Sequence, residues 1–186
     1  MSHTLIAQRY ARAIFELALE MNLVEQVRND METILSVCET SKDFDLMLRS
    51  PVIRAEKKQK VVKAIFGDKV GELSMRYMGI IIRKKREEYL RYIAGEFISI
   101  YKKFKNIFTV HFQSASAITD EIRQKVVELL EKQTGGSIEL VEEVKKELVG
   151  GFVLSYDDYK YDASIAYQLR RLRKGAAEIN LYIRGI

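Results

Sequence analysis

Proline is nearly missing from this chain: one residue in 186, against a usual share of about 5%. Proline breaks helix interiors, so long uninterrupted helices are allowed almost everywhere. Cysteine is equally scarce. The single Cys38 excludes an internal disulfide and fits a reducing compartment. No apolar run approaches the roughly 20 residues that cross a bilayer. The start of the chain lacks the basic cluster and apolar run of a signal peptide, and Glu16 and Glu20 argue against a transit peptide. There is no phosphate-binding loop pattern, and Gly135-Gly136 and Gly150-Gly151 are pairs, not a dinucleotide fingerprint. Histidine occurs twice, and neither His3 nor His111 has a partner at ligand spacing. No carboxylate pair stands at an identifiable spacing within an apolar stretch, as a tuned general acid requires. These absences leave an enzyme little material, and the sequence calls for no cofactor and no metal.

Apolar residues make up 47% of the chain and charged residues 31%, with a net charge of +5. That balance suits a folded protein. A chain of this length buries about 70% of its unfolded surface, so it needs no staples. The mild positive excess favours acidic partners without demanding nucleic acid. The basic runs at Lys57-Lys58 with Lys60 and Lys63, Arg83 to Arg86, Lys102-Lys103 with Lys105, and Arg170 to Lys174 have acidic neighbours such as Glu56, Glu87-Glu88 and Glu96. They read as solvated helix faces.

The first hundred residues read as short helices. Thr4 is positioned to cap the first, and Leu5, Ile6, Tyr10, Ile14, Leu17 and Met21 follow helical spacing. Ala7, Ala11, Ala13 and Ala18 surround that stripe, and Phe15 and Leu19 lie off it, so this helix is apolar on more than one face. Asn22 and Glu25 form a candidate capping box for a second helix with Val24, Val27, Met31, Ile34 and Cys38 on one stripe. Ser41 caps a short third helix that Ser50-Pro51 ends. The fourth carries Val61, Val62, Ile65 and Phe66 before Gly67, a candidate C-terminal cap. The fifth runs from about Val70 through Leu73, Tyr77, Ile80 and Ile81, with Met75, Met78 and Ile82 on another side. The sixth carries Leu90, Ile93, Ala94, Phe97, Tyr101 and Phe104. Short connections imply an antiparallel bundle.

The period changes near Asn106. Phe108, Val110 and Phe112 alternate with polar residues, which is strand spacing. Thr119 caps a helix ending at Gly135-Gly136; strands follow at Ile138 to Val141 and Gly151 to Tyr156, with a turn at Asp157-Asp158 and a short return over Tyr159 to Tyr161. Asp162 is a candidate cap for a last helix with Ile165, Leu169 and Leu172 inward. The expected fold is mainly α with a smaller α/β part: a six-helix bundle over 1–105, then a small mixed α/β domain over 106–186.

The opening Arg9-Tyr10-Ala11-Arg12-Ala13-Ile14-Phe15-Glu16-Leu17-Ala18 resembles the first helix of the F-type ATP synthase delta subunit, whose mitochondrial counterpart is the oligomycin-sensitivity-conferring protein. Ser50-Pro51-Val52-Ile53 with Lys57-Lys58, Ile82-Arg83 through Leu90, and Leu148-Val149-Gly150-Gly151-Phe152-Val153-Leu154 followed by Tyr161-Asp162-Ala163-Ser164-Ile165 and Leu169 to Leu172 are similar to further family segments, in the family's order. Lys145-Lys146 stand where the family usually has Asp-Pro, and Val149 replaces Ile.

The resemblance implies a non-catalytic stator joint between the alpha/beta head and the peripheral stalk, resisting rotor torque, with one copy per complex. It implies that the helical domain receives N-terminal segments of alpha subunits and that the C-terminal domain holds the C-terminal ends of b subunits. It also implies a peripheral place, with no membrane insertion of its own, on the cytoplasmic face of a bacterial plasma membrane. Helix bundles offer grooves for a partner helix. Tyr10, Ala11, Ile14, Phe15, Met75, Met78, Gly79 and Ile82 are the candidates for such a groove, with small residues for close approach and Met for adaptability. Ile165, Leu169, Leu172, Ile179, Leu181 and Ile183 are the candidates for the b-subunit surface. A basic helical nucleic-acid binder is the alternative, and steep salt dependence would mark it.

Overall fold

The computed structural model describes residues 3–156 and 159–172. The chain divides into two compact units, Met1–Phe104 and Lys105–Ile186. It is mostly helical with a small four-stranded mixed sheet, as expected of a mainly α chain with a smaller α/β part.

The first unit contains α1 (His3–Glu20), α2 (Val24–Thr40), α3 (Lys42–Arg49), α4 (Ala55–Phe66), α5 (Glu72–Arg83), a 3-10 turn (Glu87–Tyr89) and α6 (Leu90–Phe104). α6 is its centre: Leu90, Ile93, Ala94 and Phe97 are buried, against α1 on one side and α2 on the other. The face of α1 that meets α6 is the small-residue one. Ala7, Ala11 and Ala18 are wholly enclosed, with Ile14 and Phe15 beside them. Methyl side chains let two helix backbones approach closely, and Phe15 fills the remaining space edge-on to Phe97 and Phe104, at 5.6 and 5.4 Å between ring centres. The bulky stripe read from the sequence is thus only partly buried: Ile14 is enclosed and Ile6 and Tyr10 are half-buried. Leu5, Leu17 and Met21 are exposed from the helical unit. Phe104, expected inward on α6, is also largely exposed.

Local signals divide in the same way. Ser41 caps α3, accepting from the Phe44 N–H at 3.3 Å. Thr4 lies within α1. Asn22 is no capping box, because α2 has no side-chain cap. Instead Asn22 takes a left-handed φ of 55° and closes α1, with the Leu23 N–H donating to the Ala18 carbonyl at 2.8 Å. Gly67 keeps right-handed helical angles and is not a left-handed cap. Lys58, read as part of a solvated face, is buried; its Nζ donates to the Leu48 carbonyl at 2.7 Å and to Glu87 Oε1 at 2.6 Å.

In the second unit β1 (Ile107–Ser114), β2 (Ser137–Val144), β3 (Phe152–Tyr156) and β4 (Tyr159–Asp162) form one sheet in the order β2-β1-β3-β4. β1 and β2 are parallel, linked through α7 (Asp120–Thr134); the other pairings are antiparallel. Thr119 caps α7 through the Ile122 N–H at 3.4 Å, and Gly135 ends it at φ 68°. α7 packs beside β2, where Arg123 pairs with Glu142 and holds its carboxyl below the usual range. The Asp157-Asp158 turn lies outside the described residues.

The last helix, α8, covers the described residues 165–172. Ser164 caps it, accepting from the Tyr167 N–H at 3.1 Å. Asp162, expected as that cap, instead holds Ser164, accepting from its hydroxyl at 2.6 Å and its N–H at 3.0 Å. Leu169 and Leu172 do not pack inward as the pattern suggested, at 49% and 69% exposed, whereas Ile165 lies against Gly150 and still exposes 43% of its surface.

Gly151 sits at φ 75°, and a Cβ there would meet the Ala163 carbonyl oxygen at 2.3 Å. This explains the glycine on backbone grounds alone. We expect Gly151→Ala to destabilise the α/β unit by on the order of 1–3 kcal/mol, measured by thermal melting or amide exchange of β3 and β4, with the helical unit unmoved.

Candidate functional site

α1 and α5 are not closely packed against each other along their lengths; α2 and α6 do most of the packing in this part of the unit. The space left is a cleft of about 540 Å³ between the end of α1, the start of α2 and α5. Leu17 and Met21 line it from α1, Leu23 and Val27 from α2, and Leu73, Tyr77 and Ile80 from α5. Leu17 is 41% exposed and Ile80 42%. Such apolar groups on facing walls are the chemistry of a groove for a helix that brings its own apolar stripe. Arg76, paired with Glu72 on the next turn back, stands at the rim.

Two polar contacts fix the width of the cleft. Asp30 of α2 is buried, and its Oδ2 accepts from the Gly71 N–H at 3.0 Å and from the Ser74 hydroxyl at 2.6 Å. It therefore caps α5 from outside that helix and ties α5 to α2. Tyr77 donates its hydroxyl to the Tyr10 carbonyl at 2.9 Å, tying α5 to α1. Burial pushes this phenol well above its ordinary pKa, so it remains a donor. We expect Asp30→Ala to cost about 1–3 kcal/mol, because two donors lose their acceptor inside the fold. Urea denaturation followed by helix signal measures it, and the cost should be smaller for Asp30→Asn, which keeps an acceptor oxygen.

The candidates chosen from the pattern fall on different surfaces from this cleft. Ala11, Ile14, Phe15, Met78 and Ile82 are core residues, almost wholly enclosed, and none of them is a wall of the α1–α5 cleft. Tyr10 is half-buried and contributes its carbonyl to Tyr77. Met75, Gly79 and Ile82 border a second, shallower cleft between α4 and α5. Leu17, Met21, Leu73 and Ile80 were all legible as apolar at helical spacing, but bulk made them look like core. The discriminating signal was the run of alanines on α1: a helix with one small and one large apolar face buries the small face where backbones come closest.

On the other unit, Ile165, Leu169 and Leu172 form an uncovered stripe at i, i+4 and i+7 of α8. Ile179, Leu181 and Ile183 lie outside the described residues.

Groups capable of covalent chemistry are dispersed. His111 is exposed on the strand face away from α7. Cys38 is buried, and its thiol is pushed up to about 12 by burial, with Asp45 adding to the effect; it is no nucleophile at neutral pH. Among the described residues no three His, Cys, Asp or Glu side chains are grouped to hold a metal ion. No described helix is long and apolar enough to cross a membrane.

Comparison with known proteins gives one family over nearly the whole chain. The family described as ATP synthase delta (OSCP) subunit matches residues 6–175. The ATP synthase subunit delta of Parabacteroides distasonis is 35% identical over 173 residues, which cover 93% of this chain and 96% of that protein. The subunit delta of Pelodictyon phaeoclathratiforme is 32% identical over 174 residues, covering 94% and 98%. Among solved structures, a chain of the Toxoplasma gondii mitochondrial ATP synthase hexamer shares the fold, with a TM-score of 0.72 over 92% of this chain and 97% of that one at 22% identity.

Proposed function

This chain belongs to the ATP synthase delta (OSCP) subunit family, and on that premise we propose how its two units divide the work of a stator. The subunit is a structural, non-catalytic component of the F-type ATP synthase peripheral stalk, and its partners are other ATP synthase subunits. Membership of this family sets aside the nucleic-acid reading.

In our reading the helical unit takes the N-terminal segment of an alpha subunit as a helix laid in the α1–α5 cleft. The observation that supports it is the pair of facing apolar walls, Leu17 and Met21 against Leu73 and Ile80, left open between two helices that otherwise belong to one core. The unit over 105–186 holds the C-terminal ends of b subunits, with the exposed Ile165–Leu169–Leu172 stripe of α8 as its contact. One copy then links head to stalk on the cytoplasmic face of a bacterial plasma membrane, held there through partners. A joint under torque needs slow release, which apolar burial over a large area supplies.

Titrating the full chain with a peptide from the cognate alpha N-terminus, followed by amide exchange, tests the first half. Protection should appear at the end of α1 and along α5, with the α/β unit unchanged and the affinity nearly constant between low and high salt. Protection confined to the α/β unit would overturn the placement. For the second half, Leu169→Glu with Leu172→Glu should weaken b-subunit capture while leaving alpha-peptide affinity intact; loss of both, or of neither, contradicts the division.

A further inference from the structure

The sheet of the α/β unit has an open edge. Among the described residues β4 pairs with β3 alone, in a register from Val153–Asp162 to Tyr156–Tyr159. Alternate N–H and C=O groups along its outer side therefore face away from the sheet. Beside that edge a cleft of about 530 Å³ lies between α7 and the β3–β4 pair. Leu130 closes its base, Leu129 lines it from α7, and Phe152, Leu154, Tyr159 and Tyr161 line it from the strands. Its walls are open surface: Leu129 is 56% exposed, Tyr159 68% and Tyr161 64%. An aromatic edge left bare is a template for pairing with another chain.

The chain carries its own candidate to cover it. Past the described residues, Ile179, Leu181 and Ile183 alternate with Asn180, Tyr182 and Arg184. A step of two puts the three apolar side chains on one side of an extended strand. At helical spacing Leu181 would fall about 160° around the axis from Ile179. Alternation is what a strand added to β4 requires: every second side chain lands beside Tyr159 and Tyr161, over the cleft. The reach suffices. α8 starts three residues after β4 ends and is about 12 Å long, while the seven steps from Leu172 to Ile179 span up to about 24 Å. Even an α8 pointing straight away from β4 leaves the near end of the edge in range. A tether that short holds the segment at a roughly millimolar effective concentration, ahead of any strand from another molecule.

We propose that residues 178–184 close this edge in cis, pairing with β4 as a fifth strand, with Ile179, Leu181 and Ile183 filling the cleft against Leu129, Tyr159 and Tyr161. The segment is a strap: it buries the aromatic wall and keeps the edge from pairing with a second copy of the chain. No residue of α8 lines the cleft, so the strap does not compete with the contact assigned to the α8 stripe. Nor does this assignment rest on that one.

Photocrosslinking of the purified full chain tests it, with p-benzoylphenylalanine at Tyr161 in one preparation and at His111, on the other face of the sheet, in a second. The Tyr161 product should be an intramolecular link to residues 178–184, its yield independent of protein concentration, and His111 should not capture that segment. Leu181→Asp with Ile183→Asp should cut the Tyr161 product at least about tenfold, because neither carboxylate tolerates the apolar cleft. Leu181→Val with Ile183→Val should keep it within about twofold, since shape changes among apolar residues are tolerated. In the double-Asp chain, amide exchange of β4 should quicken at least about tenfold, while unchanged exchange in β1 and in α1 to α6 shows that both units remain folded. The proposal is overturned by the absence of a Tyr161 link to residues 178–184, by a link that forms between two molecules in proportion to concentration, or by a yield indifferent to the double-Asp change.

Discussion

Lys58→Ala is expected to cost the helical unit about 3–5 kcal/mol, the largest loss of any single change to a charged side chain discussed for this protein. The reason is geometric. Lys58 Nζ reaches Glu87 Oε1 at 2.6 Å and the Leu48 carbonyl at 2.7 Å, and only 3% of the Lys58 side chain and 12% of the Glu87 side chain meet solvent. Glu87 Oε2 is itself enclosed without a hydrogen-bond partner. Removing the lysine leaves a carboxylate inside the fold with no cation, together with an orphaned carbonyl at the end of α3. Lys58→Met combined with Glu87→Leu should recover most of the loss, because the expense lies in the unpaired charge and less in the missing pair. Urea unfolding, read by helix signal and by exchange of α4 amides, measures both. A cost below about 1 kcal/mol for Lys58→Ala would mean that the pair is solvated, as surface pairs are. The contact joins α4 to the turn before α6, so its loss should loosen the cleft between α4 and α5.

Leu17→Glu combined with Ile80→Glu is expected to weaken binding of the alpha N-terminal segment at least about 100-fold, roughly 2.7 kcal/mol. Both residues are about two-fifths exposed on opposite walls of the cleft. The unit itself should therefore fold with these carboxylates in water. Only when a partner helix excludes that water do the two charges become expensive. Calorimetric titration gives the affinity and thermal melting the fold. Unchanged affinity with an intact fold would remove the α1–α5 cleft from the account. Ala11→Glu is a poorer test, although Ala11 is among the groove candidates that the pattern offers. Ala11 is enclosed against α6, so a carboxylate there should unfold the unit and lose binding for a trivial reason.

That contrast shows where sequence reading ended. The apolar stripes at three-and-four spacing placed α1 to α6, and the change to alternation near Asn106 placed β1, because both periods are local properties of the chain. Ser41 and Thr119 were legible as caps because a hydroxyl three residues before a free N–H acts within one turn. The order of the family segments, from Arg9–Ala18 to Leu169–Leu172, carried the function, since no residue of this chain does chemistry that composition could betray.

Other features needed the third dimension. Whether Leu17 or Ala18 faces the core depends on how near α6 comes, and that distance is set by residues about eighty positions away in the sequence. Lys58 is chemically the same as Lys57 beside it; only the arrival of Glu87 from twenty-nine residues on makes one an interior ion and leaves the other in water. Asp30 became a cap for α5 in the same way, across forty-one residues. Sequence alone thus determined which segments are helices and strands and to which family they belong, because periodicity and motif order are written along the chain. The tertiary structure alone decided which apolar faces remain open to partners, because exposure is what is left after distant segments have chosen their closest neighbours.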